Sequence, residues 1–177
     1  MAPFVQWNAL KVISGLLNFD ASLVRNVARV AELGGASHVD IVYDEGLVHV
    51  AKSVAGSVAV CVCHQWTPEE LFAAVVAGAD MVELGDFDSF YDQGTTFTKE
   101  DVITPRTREL LHDTPLSVTV PHTLSLAVLL QLVRTLEQLG ADIIQTEGKM
   151  AVGIVNIASR ACREALHKTQ RIPRNLY

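Results

Sequence analysis

The chain has 177 residues, of which 49% are hydrophobic and 19% charged, and its net charge is −6. It is long enough for one buried core and too apolar for intrinsic disorder. No apolar run approaches the roughly 18 residues of a membrane-spanning helix, and residues 1–8 carry neither a secretory signal pattern nor the Arg- and Ser-rich pattern of a transit peptide.

The charge is unevenly spread. After Gly148, six cations (Lys149, Arg160, Arg163, Lys168, Arg171 and Arg174) face Glu164 alone, so a tail of about +5 follows a body of about −11. An acidic body points away from nucleic acid as the main partner, because neutralising phosphates needs cations on the folded face. The break divides the chain into a body, 1–148, and a basic tail, 149–177.

In chain order, six short apolar segments read as strands: Lys11–Ser14, Val39–Val42, Ala59–Cys63, Met81–Leu84, Leu116–Val120 and Asp142–Gln145. A glycine-alanine step precedes the second, fourth and sixth, at Gly35-Ala36, Gly78-Ala79 and Gly140-Ala141. The glycine supplies a left-handed helix cap, and the alanine lets the helix end approach the sheet. Between strands the apolar residues recur at helical spacing, as in Leu23, Val27, Val30 and Ala31, or Leu126, Leu129, Leu130, Val133 and Leu136. Thr67-Pro68-Glu69-Glu70 is a helix start with cap, N1 proline and returning glutamate, and Thr104-Pro105 repeats it in part.

Such an alternation predicts buried parallel strands under covering helices. Cys61 and Cys63 share one strand face and read as small apolar side chains, and with Cys162 they make an odd number that suits a reducing compartment. Residues 85–98 form a long acidic and aromatic connection. In the tail, Ile154, Ile157, Ala158, Ala161, Cys162, Ala165 and Leu166 predict an amphipathic helix.

Four segments, LKVISGL from Leu10, AVVAGADMVELGDFDSFYDQG from Ala74, LSVTVPHTL from Leu116 and GADIIQTEG from Gly140, resemble the conserved chloroplast hypothetical open reading frame twenty-three family. The resemblance runs from about Leu10 to Gly148. It implies a TIM-type barrel of plastids, or of the cytoplasm in a cyanobacterial host, and carries no particular reaction or cofactor with it. After Gly148 it stops, where such a family should supply the seventh and eighth strands, whose loops usually bind phosphate in aldolase-type barrels. The expected fold is therefore α/β: an incomplete TIM-type (βα) barrel of six parallel strands with covering helices, in a C-terminally divergent form.

In barrel enzymes the reacting groups sit at the C-terminal ends of strands. Asp40 and Glu83 lie inside apolar strands, where an unpaired charge is costly, and Lys11 is the obvious countercharge. If the three meet, the lysine could act as an amine nucleophile with a carboxylate as proton carrier. A structural ion cluster is the competing reading. His64 and His122 end strands three and five, and His122 is the better acid or base. Gln145, Thr146 and Glu147 close strand six, where an amide or acid could grip a substrate hydroxyl, with loop capping as the competing reading.

The candidate catalytic set is thus Lys11, Asp40, Glu83, His122 and Glu147. Asp86, Asp88 and Asp92 with Tyr91 could hold a divalent ion beside a phosphorylated substrate, but their spacing matches no established calcium loop and solvated loop charge is the preferred reading, so no metal site is assigned; the dinucleotide and P-loop fingerprints are absent. Two functions compete: a small-molecule enzyme of the aldolase-type barrel group, and a non-catalytic interaction protein or unproductive isoform that self-associates through open sheet edges.

Overall fold

The structure, a computed structural model, describes residues 9–15, 17–63, 67–85, 105–120 and 124–146. Strands and helices alternate: β1 (Lys11–Ile13), α1 (Ala21–Leu33), β2 (His38–Val42), α2 (Glu45–Lys52), β3 (Ala59–Cys63), α3 (Pro68–Val76), β4 (Met81–Leu84), α4 (Pro105–Leu111), β5 (Leu116–Val120), α5 (Leu126–Gln138) and β6 (Ile143–Thr146). The six strands form one parallel sheet in the order β1-β2-β3-β4-β5-β6. This is the partial-barrel plan expected from the sequence, with β3, β4 and β5 as expected and the ends of the other strands shifted by one residue. The tail helix expected after Gly148 lies outside the described residues.

Each strand alternates between two faces. Val39, Ile41, Val60, Val62, Val82, Leu84, Leu116, Val118 and Val120 pack outward against Val24, Ala28, Leu47, Val48, Leu71, Ala74, Leu129 and Val133 of the helices. The opposite face carries a small separate cluster of Cys61, Met81 and Ile143, joined by Ala9. Cys61 and Cys63 are free and buried on this inner face, as their spacing predicts.

The glycine-alanine steps work as expected. Gly35, Gly78 and Gly140 have φ of 71°, 110° and 98°. After each, the alanine N–H reaches back to the last turn, Ala36 to Ala31 O, Ala79 to Ala74 O and Ala141 to Leu136 O, at 2.9, 3.0 and 2.9 Å. At the start of α3 the Thr67 side chain accepts from the Glu70 N–H.

A third residue completes each step. Ser37 Oγ accepts from the Leu10 N–H at 2.9 Å, Asp80 Oδ2 from the Val60 N–H at 2.8 Å, and Asp142 Oδ2 from the Leu116 N–H at 2.9 Å. The backbone N–H of the same residue donates back to the carbonyl of that partner. Each odd strand is thus clamped at its start by the residue that opens the next even strand, so the sheet is built from three repeated strand pairs. Lys52 and Arg108 neutralise the two clamping aspartates, at 2.7 and 3.4 Å. Replacing Asp142 with alanine removes an acceptor from the Leu116 N–H and a partner from Arg108. A loss of about 1–2 kcal/mol in urea unfolding is expected, and a change within error would show that water replaces the clamp.

The sheet is curled. Adjacent strands lie about 4.8 Å apart, so β1 and β4 in a flat sheet would be about 14 Å apart, too far for their side chains to meet. Yet Lys11 of β1 bonds Glu83 of β4, and Gln145 of β6 bonds the same carboxylate. The inner face therefore wraps around a shared polar centre.

Candidate functional site

Lys11, Asp40 and Glu83, chosen from the sequence because a charge in an apolar strand needs a partner, do meet. They come from β1, β2 and β4 through the inward phase of each strand, and parallel register sets Ile13 beside Asp40 and Cys63 beside Glu83. The Lys11 ammonium is hydrogen-bonded to Glu83 Oε2 and lies 3.6 Å from Asp40 Oδ2. The latter contact is an ion pair, too long for a hydrogen bond. Their side chains keep little exposure: 12% for Lys11, 8% for Glu83 and 2% for Asp40.

The two carboxylates differ in environment. Glu83 is surrounded by donors: Lys11 Nζ and Gln145 Nε2 both donate to Oε2, and Thr119 Oγ1 donates to Oε1 at 3.3 Å. Gln145 Nε2 also reaches Ser117 Oγ at 2.6 Å. Asp40 has no such shell. Both its oxygens are buried and neither has a well-formed hydrogen bond among the described residues, although the Cys61 thiol and the Lys11 ammonium stand close enough to favour its charged form. Ser14 Oγ and Arg108 Nε share that state, but Asp40 alone is a carboxylate.

The electrostatics follow. Burial, then repulsion from Glu83, pushes Asp40 up to about 7, against the pull of Lys11. Burial alone would lower Lys11, but Asp40 and then Glu83 outweigh it and hold the ammonium above the ordinary lysine range. Burial and the nearby Lys11 charge depress His38 to about 4, so its ring is neutral near physiological pH. Burial, then Asp40 and Glu83, raises both Cys61 and Cys63 well above the ordinary thiol range, which makes them poor nucleophiles.

Ligand atoms of Asp40, Cys61 and Glu83 lie within 4.8 Å of one another, a donor set a divalent ion could use. The Lys11 ammonium already supplies the positive charge there. Gly85 keeps the end of β4 tight against β3: a Cβ at this position would meet Cys63 Sγ at 2.6 Å.

His122, Glu147, His64 and the loop residues Asp86, Asp88, Tyr91 and Asp92 lie outside the described residues. Sequence reasoning gave Gln145 only a minor part and passed over Ser117 and Thr119. Their one signal was period-two alignment with the inward charges, since Glu83 is in register with Ser117, and Thr119 with Gln145.

The six described strands, parallel and curled around a lysine-dicarboxylate centre, form a partial TIM-type βα-barrel. Solved structures agree: "QR15, an Aldolase" matches with a TM-score of 0.63 at 16% identity, over 92% of this chain and 79% of that one. A putative deoxyribose-phosphate aldolase from Toxoplasma gondii ME49 matches with a TM-score of 0.62 at 18% identity, over 97% and 74%. At such identities the likeness is one of fold.

The chain belongs to the family described as "Protein of unknown function (DUF561)", which it matches over residues 2–171. The match extends past both ends of the Leu10–Gly148 resemblance, so most of the basic tail falls within the family as well. Relatives called "Uncharacterized protein ycf23" are 34% identical over 96% of the chain in Pyropia yezoensis and 43% identical over 82% in Cyanophora paradoxa. The chain spans 66% and 60% of the length of those two relatives.

Proposed function

We propose that the full-length protein is a small-molecule enzyme of the aldolase-type barrel group that moves a proton next to a carbonyl. The observation that carries this is Asp40, a carboxylate buried beside an ammonium, with no well-formed hydrogen bond to either oxygen among the described residues. A purely structural ion cluster would satisfy its acceptors, as the large majority of buried polar atoms are satisfied. In the proposed step Lys11 donates a hydrogen bond to the substrate carbonyl oxygen. Asp40 takes a proton from the adjacent carbon, the C–H electron pair moves into a C=C bond, and the carbonyl pair moves onto oxygen as an enolate held by the ammonium. Return of the proton reverses the step. Glu83, fixed by Thr119 and Gln145, holds Lys11 in place, while His122 and Glu147 are the proposed acid or base and hydroxyl ligand at the mouth.

This reading prefers the ammonium over an amine nucleophile, since both carboxylates stabilise the protonated form. Borohydride separates the two: reduction should leave no substrate adduct on Lys11, and an adduct lost in Lys11→Ala would establish the covalent route instead. The main test is exchange of the carbon-bound proton in D2O, followed by NMR with small ketones and aldehydes. Exchange should fall at least about 100-fold in Asp40→Asn, and equal rates would sink the reading.

The proposed location is the plastid, or the cytoplasm in a cyanobacterial host, which the name and organisms of the relatives support. No helix among the described residues is long and apolar enough to cross a membrane. Nucleic acid is not a proposed partner of this acidic body. A second reading, interaction through open edges, is favoured by β1, which pairs only with β2 among the described strands and carries Leu10 and Ile13 at 54% exposure each. The 177-residue chain should therefore self-associate in sedimentation velocity, and Ile13→Lys should shift it toward monomer. A monodisperse wild-type monomer would contradict this.

A further inference from the structure

The charge balance of the inner face narrows the substrate class of the site just proposed, and the argument rests on that reading. Among the described residues, Lys11 is the one lysine or arginine on the inner face, and it already faces two carboxylates. His38, the other basic group there, is held neutral by burial and by Lys11. Lys52 and Arg108 belong to the covering helices α2 and α4 and are tied to Asp80 and Asp142.

A substrate carboxylate or phosphate placed against Lys11 would come within a few ångströms of Asp40 and Glu83 in a desolvated setting. There like charges repel strongly, and among the described residues no second cation compensates. The other described polar groups of this face are neutral. Ser117 and Thr119 offer hydroxyls and Gln145 an amide, side chains that both donate and accept hydrogen bonds and so match hydroxyl groups.

We infer that the reacting end of the substrate is an uncharged hydroxycarbonyl, a short hydroxyketone or hydroxyaldehyde, and not an α-keto acid. The Lys11 ammonium takes the carbonyl oxygen, Asp40 the proton of the adjacent carbon, and Ser117 with Gln145 the neighbouring hydroxyl.

The test compares hydroxyacetone and glycolaldehyde with pyruvate, using the full-length protein in D2O. Exchange should favour the neutral compounds by about tenfold or more in kcat/KM after correction for their intrinsic rates. Glu83→Gln, which removes one repelling charge, should narrow that ratio even while both rates fall. Saturation-transfer NMR on the wild type gives a readout independent of turnover and of the folding of any variant, and hydroxyacetone should show the stronger transfer. Pyruvate exchanging or binding as well as the neutral compounds, in an Asp40-dependent way, would overturn this inference and leave the proton-transfer reading standing. No exchange with any of the three would bring down the reading itself, and the inference with it.

Discussion

Lys11→Met is expected to lower the unfolding free energy by about 3–5 kcal/mol at pH 8, read from urea unfolding. Methionine keeps most of the length and apolar body of the side chain, so the loss is one of charge. It leaves Asp40 and Glu83 buried together with no cation, and an uncompensated buried charge costs far more than the pair itself contributes. The pH dependence checks the cause. Lys11 is raised in the folded state, so its contribution is fully present below the ordinary lysine range and is lost only as pH rises through the elevated value. Asp40 behaves in the opposite sense. At pH 5 it is protonated in the fold, and the cost of losing Lys11 should shrink there. Adding Asp40→Asn to Lys11→Met should recover much of the stability at pH 8. An equal cost at both pH values would mean that packing, and not charge, is what Lys11 supplies.

Asp40→Asn is expected to make the protein more stable above pH 7 while removing proton transfer. Burial pushes the folded carboxyl up to about 7, from the ordinary 3.8 that it keeps in the unfolded chain. Between these values the folded state binds more protons than the unfolded chain, so stability falls as pH rises from about 4 to 7. His38 has the contrary slope: depressed to about 4, it makes stability rise with pH between about 4 and 6.5. A wild-type curve mixes the two, but the difference between wild type and variant cancels His38. That difference should grow through pH 4 to 7, by on the order of 4 kcal/mol in favour of asparagine, and then level off. Gain of stability with loss of exchange marks a charge kept for its chemistry, whereas a structural charge would lose both together. A variant less stable than wild type at pH 8 would return Asp40 to the structural ion cluster.

Much of this was readable beforehand because the signals are local. The six strands, the three glycine caps and the Thr67 helix start each depend on a dozen residues or fewer, through hydrogen-bond closure and side-chain period. Lys11, Asp40 and Glu83 were legible for a different reason: a charge in an apolar strand has few low-cost fates, so it announces a partner. Ser117, Thr119 and Gln145 carry no such compulsion, since neutral polar side chains in a strand can face water as readily as a core. The clamping roles of Ser37, Asp80 and Asp142 were equally silent, because serine or aspartate before a strand is ordinary turn chemistry.

The order of elements, the inward phase of each strand and the demand for a countercharge were determined by the sequence itself, since each follows from short-range geometry and the cost of burying charge. Which carboxylate is satisfied and which is left bare was decided only by the tertiary structure. That outcome depends on how tightly the sheet curls to bring β1 and β6 onto β4, and curvature is the sum of many small strand twists that no short stretch of residues records.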